Sequence, residues 1–231
     1  MAAPLAQPTT NPSRPSIIYI LGAPGAGKET LCKLLAKAYT NVYHLSVGDH
    51  LRHLQSQDSS QSTSDSFGGL DHETFTERMQ QRQLLPTDTI VAIVDAALKA
   101  VSDTASFSEI SNPIVLVDGF PRSIRSAQLA DVRWGSPDGV FFFDCPRQLA
   151  EARFLERKRS ADDSVEIFRT RYDEFDRLNG EIVTMYSHIV VRISTETGTE
   201  ETWKAFRNSV KEVMVRLGAT KSDTLDEMDI D

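Results

Sequence analysis

The chain has 231 residues, of which 40% are hydrophobic and 25% are charged, and its formal net charge is −8. This length and hydrophobic content fit one large α/β domain with inserted lobes, or at most two small domains. An acidic chain lacks the basic face that general nucleic-acid binders present. No apolar run approaches the roughly 18 residues needed to span a bilayer. We therefore expect neither a nucleic acid nor a membrane as a partner.

The cysteines and the amino-terminal segment indicate in which cellular compartment the protein is expected. Cys32 and Cys145 are the two cysteines, and neither lies in a CxxC pair, which disfavours a disulfide framework and a zinc site. The first residues contain no apolar h-region, so no secretory signal is expected. A cytoplasmic protein is the expectation, with a nuclear or a mitochondrial location left open.

Short apolar runs alternate with helical patterns along the chain. The predicted strands are 16–21, 41–46, 113–118, 139–144 and 188–194. Helices are predicted from Lys28, from Gly48, and over 72–82, 87–101, 146–157, 164–186 and 200–216. Continuous apolar strands separated by helices indicate a parallel sheet that is buried on both faces. The predicted fold class is α/β, a doubly wound five-stranded parallel sheet flanked by helices.

Three segments fall outside this alternation. Residues 1–15 are rich in Pro, Ala and Thr, residues 218–231 are acidic and polar, and both are expected to be disordered tails. Residues 55–69 are rich in Ser and Gln and have no apolar face, so they are predicted to form a surface loop. The folded domain is expected to span 16–217. Asp71, just after the loop, is a good N-cap residue for the next helix.

The stretch "GAPGAGKET" follows the first strand and opens a helix, which is the context that a phosphate-binding loop requires. Its glycines let backbone N–H groups curl around phosphate oxygens, and the helix N-terminus adds a positive dipole end. A lysine supplies a point charge for the phosphoryl group. The predicted ATP contacts here are Gly22, Ala23, Pro24, Gly25, Ala26, Gly27, Lys28, Glu29 and Thr30.

This loop resembles that of the nucleoside monophosphate kinases, the adenylate kinases and UMP-CMP kinases, which commonly reads G-x-P-G-x-G-K-G-T. Pro24 and Thr30 match that pattern, whereas Glu29 replaces the family's glycine. We expect the Glu29 carboxylate to point outward, because it would repel a triphosphate. The resemblance covers about residues 16–216 and implies a monophosphate-binding lobe over about 46–86 and a short lid over about 157–164.

Two further stretches, "HLSVGDHLR" and "DGFPR", resemble the family's acceptor side. Forked arginines are suited to clamp a monophosphate, which carries about two negative charges. The resemblance implies that Asp118 helps to hold Mg²⁺ through water. The residues expected to bind the monophosphate are Ser46, Arg52, Gly119, Arg122, Ser126, Gln128 and Arg171.

The base-reading position departs from the family. Adenylate kinases often carry Gln, and UMP-CMP kinases Asn, four residues after the signature arginine, where this chain has Ser126. A hydroxyl cannot make a two-point amide contact. Either Gln128 reaches in through a shifted helix, or base reading is relaxed. "VFFFDCP" is more similar to UMP-CMP kinases, which tilts the expected acceptor slightly towards UMP or CMP and away from AMP.

The segment "LERKRSADDSVEIFRTRYDEF" resembles the family's lid region. The resemblance implies that Arg157 and Arg171 flank the transferred phosphoryl group, and that Arg171 also contacts the monophosphate. Ser160 stands where the family has another arginine, and Arg159, one residue earlier, is the expected substitute at ATP. The residues expected to be catalytic are Lys28, Arg122, Arg157 and Arg171.

The sequence thus predicts a monomeric phosphotransferase that moves the γ-phosphoryl group of ATP to a nucleoside monophosphate, with Mg²⁺ as cofactor. Its alternatives are an adenylate kinase with AMP as acceptor, a regulatory nucleotide-binding protein with little turnover, and a kinase for a non-nucleotide metabolite. Glu29, Ser126, Ser160 and the short lid favour the regulatory alternative. The five histidines show no ligand spacing, so structural or surface roles are expected for them.

Overall fold

Five parallel strands form the centre of the computed structural model, which describes residues 14–57, 67–81, 83–107, 112–157 and 164–217. The strand order is β2-β3-β1-β4-β5, and each neighbouring pair is parallel. The strands are β1 (Ser16–Gly22), β2 (Val42–Ser46), β3 (Ile114–Asp118), β4 (Gly139–Asp144) and β5 (Val190–Ser194). The predicted five-stranded parallel sheet is therefore confirmed.

Eight α-helices lie within the same described ranges. They are α1 (Lys28–Ala38), α2 (Val47–Ser56), α3 (His72–Gln80), α4 (Thr87–Phe107), α5 (Ile124–Trp134), α6 (Arg147–Glu156), α7 (Val165–Met185) and α8 (Thr199–Arg216). Helix α4 runs one and a half turns beyond its predicted end at residue 101. Helix α5 was not among the predicted helices, because its N3 residue is Ser126 and not the Glu or Gln of a recognisable capping box.

The core consists of two apolar clusters, one on each face of the sheet. Alternate residues of β1 divide between them: Ile18 and Ile20 face one cluster, while Ile17, Tyr19 and Leu21 face the other. Side chains of a strand point alternately to the two faces, so a strand buried on both must be apolar throughout. Strand β3 shows this over its first four residues, which are apolar and buried, while its fifth residue is the buried carboxylate Asp118.

The strand register brings the predicted site residues to one edge of the sheet. Asp118, the last residue of β3, lies beside Ser46 of β2 and Ile20 of β1. The glycine-rich loop leaves β1 at the same edge. Because ligands of open α/β sheets bind outside the carboxyl ends of the strands, this edge is where a site is expected.

Several predictions concern residues outside the described ranges. These are most of the two tails, residues 58–66 of the Ser-rich loop, and residues 158–163 of the lid, which include Arg159 and Ser160. Arg14, assigned to the amino-terminal tail, is described and forms an ion pair with Asp138. In the part of the chain that the structure covers, no helix has the length and apolarity to cross a membrane.

Candidate active site

The glycine-rich loop is shaped by positive backbone angles that favour glycine. Gly25 has φ +84°, and a Cβ there would lie 2.0 Å from the carbonyl oxygen of Ala150. Gly27 has φ +82° and is the N-cap of α1, so no side chain caps the first turn of that helix. The backbone N–H groups at this helix start are therefore placed for an anion. Ala23 and Ala26 are buried, and the Ala26 N–H donates to the carbonyl oxygen of Ala23 at 3.1 Å, which closes a turn in the loop.

Lys28 is folded into this loop. Its Nζ donates hydrogen bonds to the carbonyl oxygens of Gly22, at 2.7 Å, and of Ala23, at 2.8 Å. Burial lowers the pKa of Lys28, and the nearby carboxylate of Asp118 acts against that shift. The Lys28 ammonium group therefore donates to two neutral carbonyl oxygens within the loop. A bound phosphate would offer it a charged acceptor, and hydrogen bonds between charged groups are stronger.

Glu29 lies in the first turn of α1, next to the loop. Its Oε1 accepts a hydrogen bond from Lys33 Nζ at 2.6 Å, one helical turn further on. The carboxylate is thus directed along the helix towards Lys33. This geometry agrees with the expectation that Glu29 points away from the loop.

Asp118 is buried at the end of β3, beside His44 of β2. The His44 Nε2 and Asp118 Oδ2 atoms are 3.6 Å apart, and the two side chains are 7% and 10% exposed. The Nε2 atom of His44 is buried and makes no hydrogen bond. His44 therefore lies against the predicted magnesium residue, a place that the sequence analysis did not assign to it.

The surroundings of Asp118 fit Mg²⁺. Its carboxylate offers the hard oxygen ligand that Mg²⁺ prefers, next to a loop suited to phosphates. Mg²⁺ commonly takes one or two carboxylates together with substrate phosphates and water, so a ring of protein ligands is not required. Among the described residues, no group of three or more His, Cys, Asp or Glu side chains could hold a metal.

The turn after β3 carries Arg122. The Phe120–Pro121 bond in this turn is cis, and Arg122 Nε donates to the carbonyl oxygen of Gly119 at 3.0 Å. The guanidinium is exposed and lies within the electric field of Glu174, Asp118 and Arg52. Desolvation lowers the pKa of Arg122, and the carboxylates of Glu174 and Asp118 act against that shift.

Arg52 lies on α2, which begins at its N-cap Ser46. The hydroxyl of Ser46 accepts from the backbone N–H of Asp49 at 3.4 Å. Arg52 is exposed and forms an ion pair with Asp49. The structure therefore brings two of the predicted monophosphate residues, Arg52 and Arg122, to neighbouring positions at the carboxyl edge of the sheet.

Ser126 and Gln128, the two residues considered for the acceptor base, lie in α5. Ser126 is 4% exposed, and its hydroxyl bonds to Ser123 in a capping box at the start of the helix. Gln128 is exposed. Base contact by either residue stays a prediction.

Arg157 and Arg171 meet at one aromatic ring. Their Cζ atoms lie 3.9 Å and 5.9 Å from the ring centroid of Phe154, a buried residue of α6. Arginines over an aromatic face gain a cation–π interaction. The charge of Arg157 also acts on Lys28, so the arginine lies near the loop. The two lid arginines thus lie over the same ring, and their contact with a transferred phosphoryl group stays a prediction.

Arg153 is a further cation of this region that the sequence analysis missed. It precedes Arg157 by one turn of α6, and its Nη2 atom donates to the carbonyl oxygen of Thr195 at 3.2 Å. It thereby joins α6 to the segment after β5. Its spacing of four residues from Arg157 places both on one helix face, and this was the available signal.

Comparisons with known proteins identify the family to which the chain is similar. The model of the family described as adenylate kinase matches residues 20–191. A uridylate kinase of Saccharomyces cerevisiae is 30% identical over 216 residues, which cover 91% of this chain and 98% of that protein. A UMP-CMP kinase of Prunus armeniaca is 31% identical over 182 residues, covering 78% of this chain and 70% of that protein.

Adenylate kinase isoenzyme 1 of Sus scrofa is more distant, at 25% identity over 190 residues, which cover 80% of this chain and 89% of that protein. The family match takes in the loop from Gly22 onward, the Asp118 turn and both lid arginines. The resemblance predicted from the motifs is confirmed. The chain belongs to the adenylate kinase family, the nucleoside monophosphate kinases.

Proposed function

We propose that this nucleoside monophosphate kinase transfers the γ-phosphoryl group of ATP, with Mg²⁺, to UMP or CMP, slightly in preference to AMP. The observation that carries the proposal is the grouping of Lys28, Asp118, Arg122 and Arg157, whose charges act on one another at one edge of the sheet. Similarity to a uridylate kinase and a UMP-CMP kinase supports the acceptor class.

The glycine-rich loop would hold the phosphates of ATP. Backbone N–H groups at the start of α1 would donate to the anion, while Lys28 would exchange its two carbonyl acceptors for phosphate oxygens. Phosphoryl transfer needs little covalent help from the protein, so positioning and charge supply the catalysis. Arg159 stays a predicted ATP contact in the lid.

Asp118 would hold Mg²⁺ through water, together with the phosphates of ATP. When bound, the ion neutralises charge that develops on the phosphate oxygens. The role of this chain is to keep a buried carboxylate next to the loop, which β3 does by ending at that residue. His44 packs against that carboxylate from the neighbouring strand.

The acceptor phosphate would lie between Arg52 and Arg122, near Ser46 and Gly119. Both arginines are exposed, so their guanidinium groups can form forked hydrogen bonds with a phosphate. The charge of Asp118 also acts on Arg122, which supports an acceptor site next to the proposed magnesium residue. An acceptor held in this way has its oxygen aimed at the γ-phosphoryl group.

Arg157 and Arg171 would stabilise the transferring group. The transition state spreads negative charge over three equatorial oxygens, and arginines placed around it lower its free energy. The contact of both guanidinium groups with the Phe154 ring supports a shared role for the two arginines. Charges that are held in place beforehand avoid reorganisation during the reaction.

A coupled assay with ATP and each of UMP, CMP and AMP tests the proposal. We expect diphosphate from all three, with the pyrimidine nucleotides somewhat ahead. Tight ATP binding without diphosphate from any acceptor would contradict the proposal and favour a regulatory nucleotide-binding protein. Dominant activity with AMP would identify an adenylate kinase.

Arg171→Ala tests the catalytic role of the lid arginines. We expect kcat to fall by about a hundredfold or more, because the arginine acts on charge that appears in the transition state. Arg169→Ala is the matched control, since Arg169 is also an exposed arginine of α7 and lies two residues away, on another side of the helix. Equal losses in both variants would count against the assignment.

The cytoplasmic location and the monomeric state stay predictions from the sequence.

A further inference from the structure

The first turn of α5 contains a serine pair that is fully satisfied by its own hydrogen bonds. The Ser126 N–H donates to Ser123 Oγ at 3.2 Å, and the Ser123 N–H donates to Ser126 Oγ at 3.1 Å. The Ser126 hydroxyl also donates to the Ser123 carbonyl oxygen at 2.8 Å and contacts the Ser123 hydroxyl at 3.2 Å. The pair forms a capping box.

These bonds use the whole capacity of the Ser126 hydroxyl. A hydroxyl has one hydrogen to donate and two lone pairs to accept with. The carbonyl oxygen of Ser123 takes the hydrogen, while the backbone N–H and the hydroxyl of Ser123 occupy the lone pairs. With 4% of the residue exposed, Ser126 can contact a nucleotide base only if the cap opens.

The position of this serine pair matters for the acceptor. Ser126 lies four residues after Arg122, which we propose as a ligand of the acceptor phosphate, and α5 begins between them. A base is separated from its phosphate by the ribose, a span comparable to one helical turn of about 5.4 Å. The first turn of α5 is therefore where a side chain could read the edge of the acceptor base.

Gln128 does not replace the missing amide. Two positions along a helix correspond to a rotation of about 200°, so Gln128 and Ser126 lie on different sides of α5. Ala127 and Ala130 are fully buried in the core, while Gln128 is exposed. The regular helix therefore places the Gln128 amide away from the position of Ser126.

Resting on the proposed function, we infer that neither Ser126 nor Gln128 supplies a side-chain hydrogen bond to the acceptor base, so the kinase discriminates weakly among UMP, CMP and AMP. A site built to hydrogen-bond a substrate group rejects analogues by about 10⁴–10⁵, whereas differences in apolar fit give only about 10–200-fold. We expect kcat/KM values for the three acceptors to lie within about tenfold of one another. This range leaves room for the slight pyrimidine preference.

Equilibrium binding and turnover, measured on the full chain with UMP, CMP and AMP, test the inference separately from the proposed function. Dissociation constants within about tenfold of one another support the inference. If no diphosphate forms in that case, the proposed function is wrong while the inference stands. A preference of about a hundredfold or more for one acceptor overturns the inference while the kinase assignment stands. Failure of all three to bind overturns both.

Variants of α5 locate the effect. Ser126→Asn adds an amide, and we expect it to shift the ratio of kcat/KM between two acceptors by about tenfold or more. Ser126→Ala is the matched control: it removes the capping hydroxyl without adding an amide, so the melting temperature falls and the acceptor ratios stay the same. Gln128→Ala addresses the rival residue. If Gln128→Ala changes the ratios by more than about threefold, Gln128 reads the base and the inference is wrong.

Discussion

Glu29 is the residue of the loop that departs most from a phosphate-binding pattern. A carboxylate in the first turn of a helix is favourable in the empty protein, by about 0.3–1 kcal/mol, but it repels a bound phosphate. Here Lys33 pairs with it at 2.6 Å from an exposed position on the next turn. This ion pair offsets part of the Glu29 charge next to the loop, and its effect on ATP binding stays a prediction.

We expect Lys33→Ala to raise the KM for ATP by about two- to fivefold, because it removes the positive charge paired with Glu29. This corresponds to a loss of under about 1 kcal/mol in the free energy of ATP binding, as expected for a charge near solvent. Glu29→Gln should leave kcat within about twofold, and in the double variant it should restore the KM. Steady-state kinetics over an ATP series measures both. A fall in kcat of tenfold or more in Glu29→Gln would mean that the carboxylate works directly in the site.

At the scale of single elements, helix ends depend on local polar side chains. Asp71 is the N-cap of α3, as predicted from its residue type. The backbone N–H of Thr74 donates to one carboxylate oxygen at 2.8 Å and the Thr74 hydroxyl donates to the other at 2.7 Å. These bonds favour the ionised form and lower the pKa of Asp71 below its ordinary value of 3.8.

The lowered pKa sets the sign of a pH dependence. The folded state binds this proton less tightly than the unfolded state, so the stabilisation is present above pH 3.8 and is lost as the pH falls through the folded-state pKa. We expect the Thr74 amide resonance to titrate below pH 3.8. Asp71→Asn keeps an N-cap acceptor but has no charge, so its Thr74 resonance should not titrate there. An unchanged titration in that variant would assign the effect to another group.

For the molecule as a whole, one carboxylate at the amino ends of the strands ties distant segments together. Asp138, 8% exposed, accepts from Arg14 at 3.0 Å and from the backbone N–H of Ile17 in β1 at 2.8 Å. Its carbonyl oxygen accepts from Arg216, at the end of α8, at 2.7 Å. Arg14, before β1, and Arg216, at the end of α8, are thus both bonded to Asp138, at the edge of the sheet opposite to the candidate active site.

We expect Asp138→Ala to lower the free energy of unfolding by about 1–3 kcal/mol, since it leaves a buried backbone N–H without its acceptor. Urea denaturation measures this loss. Because the residue precedes β4 and the site lies at the carboxyl ends, kcat and both KM values should change by less than twofold. Arg14→Ala, which keeps the bond to Ile17, should be milder. A change of acceptor KM in Asp138→Ala would show that the two edges are coupled.

Much of the site could be predicted because its chemistry lies in short, contiguous motifs. The loop from Gly22 to Lys28 and the turn from Asp118 to Arg122 each follow a buried strand, and parallel strands must end at one edge. Long-range contacts were harder to predict. His44 was expected to be structural or at the surface, and its place beside Asp118 depends on β2 pairing with β3. No local pattern states which strands are neighbours.

The α/β class and the parallel sheet could be predicted from the sequence by itself, since hydrophobic periodicity is a local property of a chain. The kinase family was recognised from the resemblance of short contiguous motifs to those of known kinases. Only the tertiary structure decided the strand order β2-β3-β1-β4-β5, the meeting of Arg157 and Arg171 at Phe154, and the closed hydrogen bonding of Ser126. These features depend on how the helices pack against the sheet and on which polar groups the folded chain brings within hydrogen-bond distance. Packing and hydrogen-bond satisfaction are properties of the folded whole, and they set what each predicted residue is free to bind.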